Sequence, residues 1–239
     1  MDDREHTHGR RLTRRESLAK AGGLAALLTA GGWKLASGED DADAAVGPAA
    51  VASGAVTCVL APEQTEGPYY VSGAKVRRTI TEGRPGVPLA LRLRVVDASG
   101  CRPIRNAAVD VWHADALGSY SGVGARAGTT FMRGVQKTDA TGLALFRTVY
   151  PGWYPGRTVH IHVIVHIGGN VVHTGQLYFP DAVTDAVYRR APYSRRGARD
   201  IRNAADSIYR NGGRRSQLAL QRQATGAYVG AITMGVHRS

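Results

Sequence analysis

Tyr154-Pro155-Gly156-Arg157-Thr158-Val159-His160-Ile161-His162-Val163-Ile164-Val165-His166-Ile167 decides how this chain is read. From Val159 onward, Ile161, Val163, Val165 and Ile167 recur at every second position, the period of an extended strand with one face in an apolar core. The other face carries His160 and His162, about 6 to 7 Å apart along the strand, which suits two ligands of one metal. Two phenols accompany them: Tyr154 just upstream, and Tyr120 in Gly118-Ser119-Tyr120. A phenol binds metal well only as phenolate, and at neutral pH that requires a strong Lewis acid such as Fe(III).

The same period extends outward. Leu89, Leu91, Leu93 and Val95 alternate with smaller or polar residues, and Arg92 and Arg94 face away. Asp97-Ala98-Ser99-Gly100 is a turn cluster, Ala107 to Trp112 reads as a strand, and Asp139-Ala140-Thr141-Gly142 turns into Leu143 to Thr148. A further strand follows over Val171 to Phe179. Asp181 to Arg210 is weakly helical and interrupted by Pro192; Leu218 to Arg222 and Ala227 to Val236 read as closing strands. Short strands separated by turns define a mainly β chain, an antiparallel β-sandwich with short helices and long loops, rather than a parallel α/β fold.

With 239 residues, the chain has room for one domain and an export segment. Thr13-Arg14-Arg15-Glu16-Ser17-Leu18 is a twin-arginine pair before the apolar run Ala21 to Trp33, and Ala42-Asp43-Ala44 is a small-x-small cleavage site. Residues 1–45 are therefore expected to be a signal, 46–57 a linker and 58–239 the working domain. The apolar run is too short to span a bilayer comfortably, so no stable membrane anchor is expected. Cys58 and Cys101 are the two cysteines; in an oxidising compartment they pair most simply as one disulfide. Formal net charge is +12, and residues 1–45 hold 7 Lys+Arg against 8 Asp+Glu, leaving +13 on the remainder. The arginines are scattered, densest from Arg189 to Arg202, and no nucleic-acid motif accompanies them, so a solvated face or attraction to acidic polymers is the expected role rather than nucleic-acid binding.

Taken alone, His-x-His is a weak signal, because strand histidines are often merely exposed or hydrogen-bonded. His166 continues the face and His173 lies on the next strand, which keeps a histidine-only copper or zinc site open. Tyr120 and Tyr154 also have an ordinary reading as packed rings with a bonded hydroxyl, and Arg157 one as a surface charge.

The wider pattern separates these readings. Leu91 to Tyr120, including Asp97-Ala98-Ser99-Gly100-Cys101-Arg102-Pro103 and Val109-Asp110-Val111-Trp112-His113-Ala114-Asp115, closely resembles the signature of intradiol ring-cleavage dioxygenases, with Leu93 where that signature usually has glycine. Thr65-Glu66-Gly67-Pro68-Tyr69-Tyr70, Thr138-Asp139 with Gly142 and Phe146, and Gly175-Gln176-Leu177-Tyr178-Phe179 match further motifs in the same order. The resemblance covers about residues 58–180. It implies that Tyr120, Tyr154, His160 and His162 ligate one non-haem Fe(III) per chain. It makes Tyr154 the detachable ligand that serves as base, places Arg157 and Gln176 beside the substrate ring, and puts Tyr69 on the pocket wall. The implied reaction joins O2 to a catecholic substrate and opens the ring between the two hydroxylated carbons, giving a cis,cis-muconate-type diacid. A secreted sandwich that binds metal or ligand without ring cleavage is the alternative; an extradiol enzyme would need two histidines and a carboxylate on Fe(II), which the motifs do not supply. The substrate and the oligomeric state are not readable from the sequence.

Overall fold

A computed structural model of the chain describes residues 60–238, all within one compact unit. Its strands are β1 (Pro88–Asp97), β2 (Ala108–Trp112), β3 (Arg133–Lys137), β4 (Leu143–Val149), β5 (His160–Ile167), β6 (Asn170–Tyr178), β7 (Ala219–Arg222) and β8 (Tyr228–Val236), with short helices α1 (Asp181–Tyr188) and α2 (Ser207–Arg210). They form two four-stranded sheets, ordered β4-β1-β8-β7 and β3-β2-β5-β6. The second is antiparallel throughout. In the first, β1 and β8 run parallel, from Leu89 opposite Tyr228 to Asp97 opposite Val236. The antiparallel expectation thus needs one correction. Alternating burial has the same period in either direction, so the strand pattern carried no information on this pair.

The core lies between the sheets. Leu89, Leu91, Leu93 and Val95 meet Ile161, Val163 and Val165 in one buried cluster, each large side chain contributing about 1.5–3 kcal/mol by leaving water. Arg94 leaves that face, as expected, yet is itself buried, its Nη1 donating to the Thr141 carbonyl at 2.5 Å. The sequence pattern missed β3, whose residues Arg-Gly-Val-Gln-Lys show no apolar alternation. Gly134 is there for space, since a Cβ would stand 2.6 Å from Cγ2 of Ile80.

The expectations that fall on the twin-arginine segment, the linker and Cys58 lie outside the described residues. No free cysteine occurs among the described residues. No helix among them is long and apolar enough to cross a membrane.

Candidate metal centre

Residues facing each other in adjacent strands share a side of the sheet. Trp112 pairs with Arg133 on one side and with His162 on the other, and His162 pairs with Gln176. Arg133, Trp112, His162 and Gln176 therefore form one row across the whole second sheet, with His160 opposite Tyr178 in the next row. This face points away from the sandwich core. Loops cover it: a second apolar cluster joins Trp112, Ala114, Tyr120 and Ile164 to Tyr69, Tyr70, Val123 and Tyr154.

The polar atoms beneath those loops converge. The Tyr154 hydroxyl is 3.1 Å from Nε2 of His160, which is 3.0 Å from Nε2 of His162. Nδ1 of His160 lies 2.7 Å from the Thr158 carbonyl; since a carbonyl can only accept, Nδ1 holds the proton and Nε2 presents its lone pair. His162 stacks on Trp112, with ring centroids 4.8 Å apart and planes 6° from parallel. Gly67 lets the chain pass over this ring, because a Cβ there would come within 3.2 Å of it in a left-handed conformation. The Tyr120 hydroxyl is buried without a hydrogen-bond partner, with Tyr154 among its electrostatic neighbours.

Electrostatics keep all four donors neutral. Burial, then the Arg157 charge, pushes His160 down to about 3. Burial and the His160 ring hold His162 well below the ordinary imidazole value. Tyr120 is driven well above a normal phenol, chiefly by burial and next by Tyr154. Burial also raises Tyr154, while Arg157 pulls it back. Neither phenol ionises near neutrality without a strong Lewis acid at hand. No group of three His, Cys, Asp or Glu is placed to hold a metal among the described residues, so a site here must draw on the phenols. A hard trivalent ion fits two phenolates and two imidazoles. His166 and His173 stay apart from this set: His166 lies beyond Ile164 on β5, and His173 pairs with Val165 on the other face and meets Glu63 at 2.8 Å.

Arg157 sits at the edge of the cluster, with Nη2 donating to Oε1 of Gln176 at 2.5 Å and Nε to Oδ2 of Asp206 at 2.8 Å. The Gln176 amide donates to the Thr65 carbonyl at 3.0 Å, which fixes its orientation. Tyr69 stacks on Tyr120 at 4.6 Å and meets Tyr154 edge-on at 5.9 Å. The seven residues that the resemblance assigns to the metal and substrate are thus in one neighbourhood.

The sequence did not reveal three of their supports. Arg133 is buried and donates to the carbonyls of Tyr69 (2.7 Å) and Ser121 (2.6 Å), joining the two loops that hold Tyr69 and Tyr120. Asp206 is far along the chain in a segment of weak pattern. Asp110, on the site face of β2, is buried, which drives its carboxyl up to about 7 although the Tyr70 hydroxyl and Arg133 oppose this. In the unfolded chain that carboxyl ionises near 4, so between about pH 4 and 7 only the folded form keeps the proton. Stability from this group therefore falls as pH rises through that window and is level above it. Urea melts at pH 5 and 8 should show a smaller stability loss for Asp110→Asn than for the unaltered protein; equal losses would remove Asp110 as the cause.

Gly118, two residues before Tyr120, is in the left-handed region with φ 77°, and a Cβ there would overlap the Trp153 carbonyl next to Tyr154. Gly118→Ala should lower stability by at least about 1–3 kcal/mol, read as a drop in melting temperature; an unchanged melt would show that this turn can relax.

Fold and site together define a β-sandwich protein that gathers phenol and imidazole donors on the outer face of one sheet. A family model described as "Dioxygenase" matches residues 65–187. Among solved structures, an intradiol ring-cleavage dioxygenase from Tetranychus urticae is 33% identical, with TM-score 0.70, covering 76% of this chain and 96% of that one. The dioxygenase domain of a dioxygenase carbohydrate-binding protein fusion from Streptomyces sp. SirexAA-E is 30% identical with TM-score 0.60, covering 76% and 100%. Catechol 1,2-dioxygenase 2 of Acinetobacter lwoffii is 40% identical over 97 residues, 39% of this chain. The match spans 35% of that relative, about a third of its length. The chain belongs to the intradiol ring-cleavage dioxygenase family, whose members use non-haem iron.

Proposed function

We propose that this protein is an intradiol dioxygenase that holds one Fe(III) through Tyr120, Tyr154, His160 and His162 and opens catecholic rings between the two hydroxylated carbons with O2. The observation that carries this reading is the approach of the Tyr154 hydroxyl and the two Nε2 atoms to about 3 Å, beside the partnerless Tyr120 hydroxyl. Fe(III) bound there would supply the Lewis acidity that keeps the phenols ionised and the redox chemistry that ring opening with O2 needs.

The protein's own part is positioning and proton transfer. A catechol that binds through both oxygens must lose two protons, and Oη of Tyr154 would accept one of them. Arg157 puts a fixed positive charge beside the negative charge that develops as the ring opens. Gln176 holds one arm of that guanidinium, and Tyr69 forms the wall against which an aromatic ring lies. The bond between Nδ1–H of His160 and the Thr158 carbonyl keeps the lone pair of Nε2 aimed inward.

The test is to load iron and follow oxygen uptake and product mass over a panel of catechols. Coloured protein, oxygen consumption and ring-opened diacids are expected. Coloured protein with no turnover on any catechol would favour the binding-protein alternative, and colourless iron-loaded protein would sink the ligand set.

Export through Arg14-Arg15 and a Cys58–Cys101 disulfide complete the proposal. Replacing both arginines by lysine should retain the protein in the cell, and non-reducing peptide mapping of the exported form should recover one crosslinked pair. Secretion without the arginine pair, or two free thiols, would overturn these points separately.

A further inference from the structure

Asp206 lies outside the family-matched stretch of residues 65–187, yet it is among the most enclosed charges near the site, its side chain 1% exposed against 18% for Arg157. One oxygen, Oδ2, accepts from Nε of Arg157 and from the backbone N–H of Thr158, both at 2.8 Å. The other, Oδ1, caps α2 by accepting from the N–H groups of Ile208 (2.8 Å) and Tyr209 (2.9 Å). Asn203 fastens the same turn, accepting from the Thr158 hydroxyl at 2.7 Å and donating to the Phe179 carbonyl at 2.8 Å. The guanidinium is thereby held on two sides, by Asp206 at Nε and by Gln176 at Nη2.

We propose that Asp206 is a positioning residue for Arg157: it fixes the plane of the guanidinium beside the reacting catechol. This rests on the ring-cleavage reading above. A planar fork needs such a mount, because an arginine side chain free to rotate loses much of its rotamer freedom on each encounter, whereas a pre-set fork meets developing charge without reorganisation. Mounting it from residues 203–210 also means that a segment beyond the matched core sets the orientation of a group inside the site.

Asp206→Asn separates the two duties of the side chain. Asparagine caps helices about as well as aspartate, but its NH2 would confront the Arg157 Nε–H and the Thr158 N–H. The variant should keep its helix cap and fold, its melting temperature lowered by the unpaired Thr158 N–H, while kcat falls about 10- to 100-fold with KM changed much less. Arg157→Ala should lose at least as much, and the double variant should be no worse than Arg157→Ala, since nothing is left to position. In the metal-free protein, the Arg157 Nε–H should be protected from solvent exchange in nitrogen-15 spectra and lose that protection in Asp206→Asn. Losses that multiply in the double variant, an unprotected Nε–H, or unaltered kcat in Asp206→Asn would each overturn the proposal. Should Asp206→Asn not fold, Arg157→Lys keeps the cap and the charge but lacks the fork; kcat within about twofold of the unaltered protein would be equally fatal. If the unaltered protein turns over no catechol, the ring-cleavage reading falls and takes this proposal with it; normal turnover with Asp206→Asn unaffected overturns this proposal alone.

Discussion

Tyr154→Phe is expected to lower kcat for ring cleavage by about 10²–10⁴-fold, the usual range for loss of a proton-transfer group, and to shift the visible band of the iron-loaded protein. The phenol ring contributes packing, edge-on to Tyr69 and to Tyr120 at 5.9 and 5.5 Å, and phenylalanine preserves that. What disappears is the oxygen 3.1 Å from Nε2 of His160. Burial makes this phenol reluctant to lose its proton; by the same physics, its phenolate is a strong base. Removing it should therefore cost rate more than fold. Steady-state kinetics, the visible spectrum and a melting curve check this together. An unchanged spectrum would dismiss Tyr154 as a ligand, and an unchanged kcat would dismiss it as the base.

The second large effect is on stability. Arg133→Met should destabilise the protein by about 3 kcal/mol, because the Tyr69 and Ser121 carbonyls lose a buried charged donor and each unsatisfied group costs about 1–3 kcal/mol. The Ser121 hydroxyl, 3.0 Å from Nε, loses a contact too. For a domain of this size the melting temperature should fall by about 6–12 °C. The loops holding Tyr69 and Tyr120 would slacken together, so iron should also dissociate more readily. Thermal melts with and without iron measure both effects, and a fall of a degree or less would show that Arg133 is not the tie between these loops.

The alternation in Leu89 to Val95 and in Val159 to Ile167 made the sandwich legible, because a half-buried strand writes its core face into every second residue. The direction of β8 beside β1 was not legible, since parallel and antiparallel neighbours leave the same period. Arg133 and β3 were hidden for a different reason. That strand buries a charge satisfied by carbonyls from other loops, and its residues look exposed until those loops are in place. Tyr120, Tyr154, His160, His162, Arg157, Gln176 and Tyr69 came from motifs, and the structure gathers all of them. Asp206 carried no such signal: one of several aspartates in an arginine-rich stretch, it becomes informative only when Thr158 and Arg157 are seen against it.

The row that runs through Arg133, Trp112, His162 and Gln176 ties two requirements to one parity. On β5, odd positions fill the sandwich and even positions face the site, so inserting or deleting one residue in this strand would turn histidines into the core and valines towards the loops. Single-residue insertions and deletions there should be lost at once in any evolving lineage. The covering loops carry no such lock, and on the function proposed above the range of accepted rings is free to drift in them while the donors stay in register.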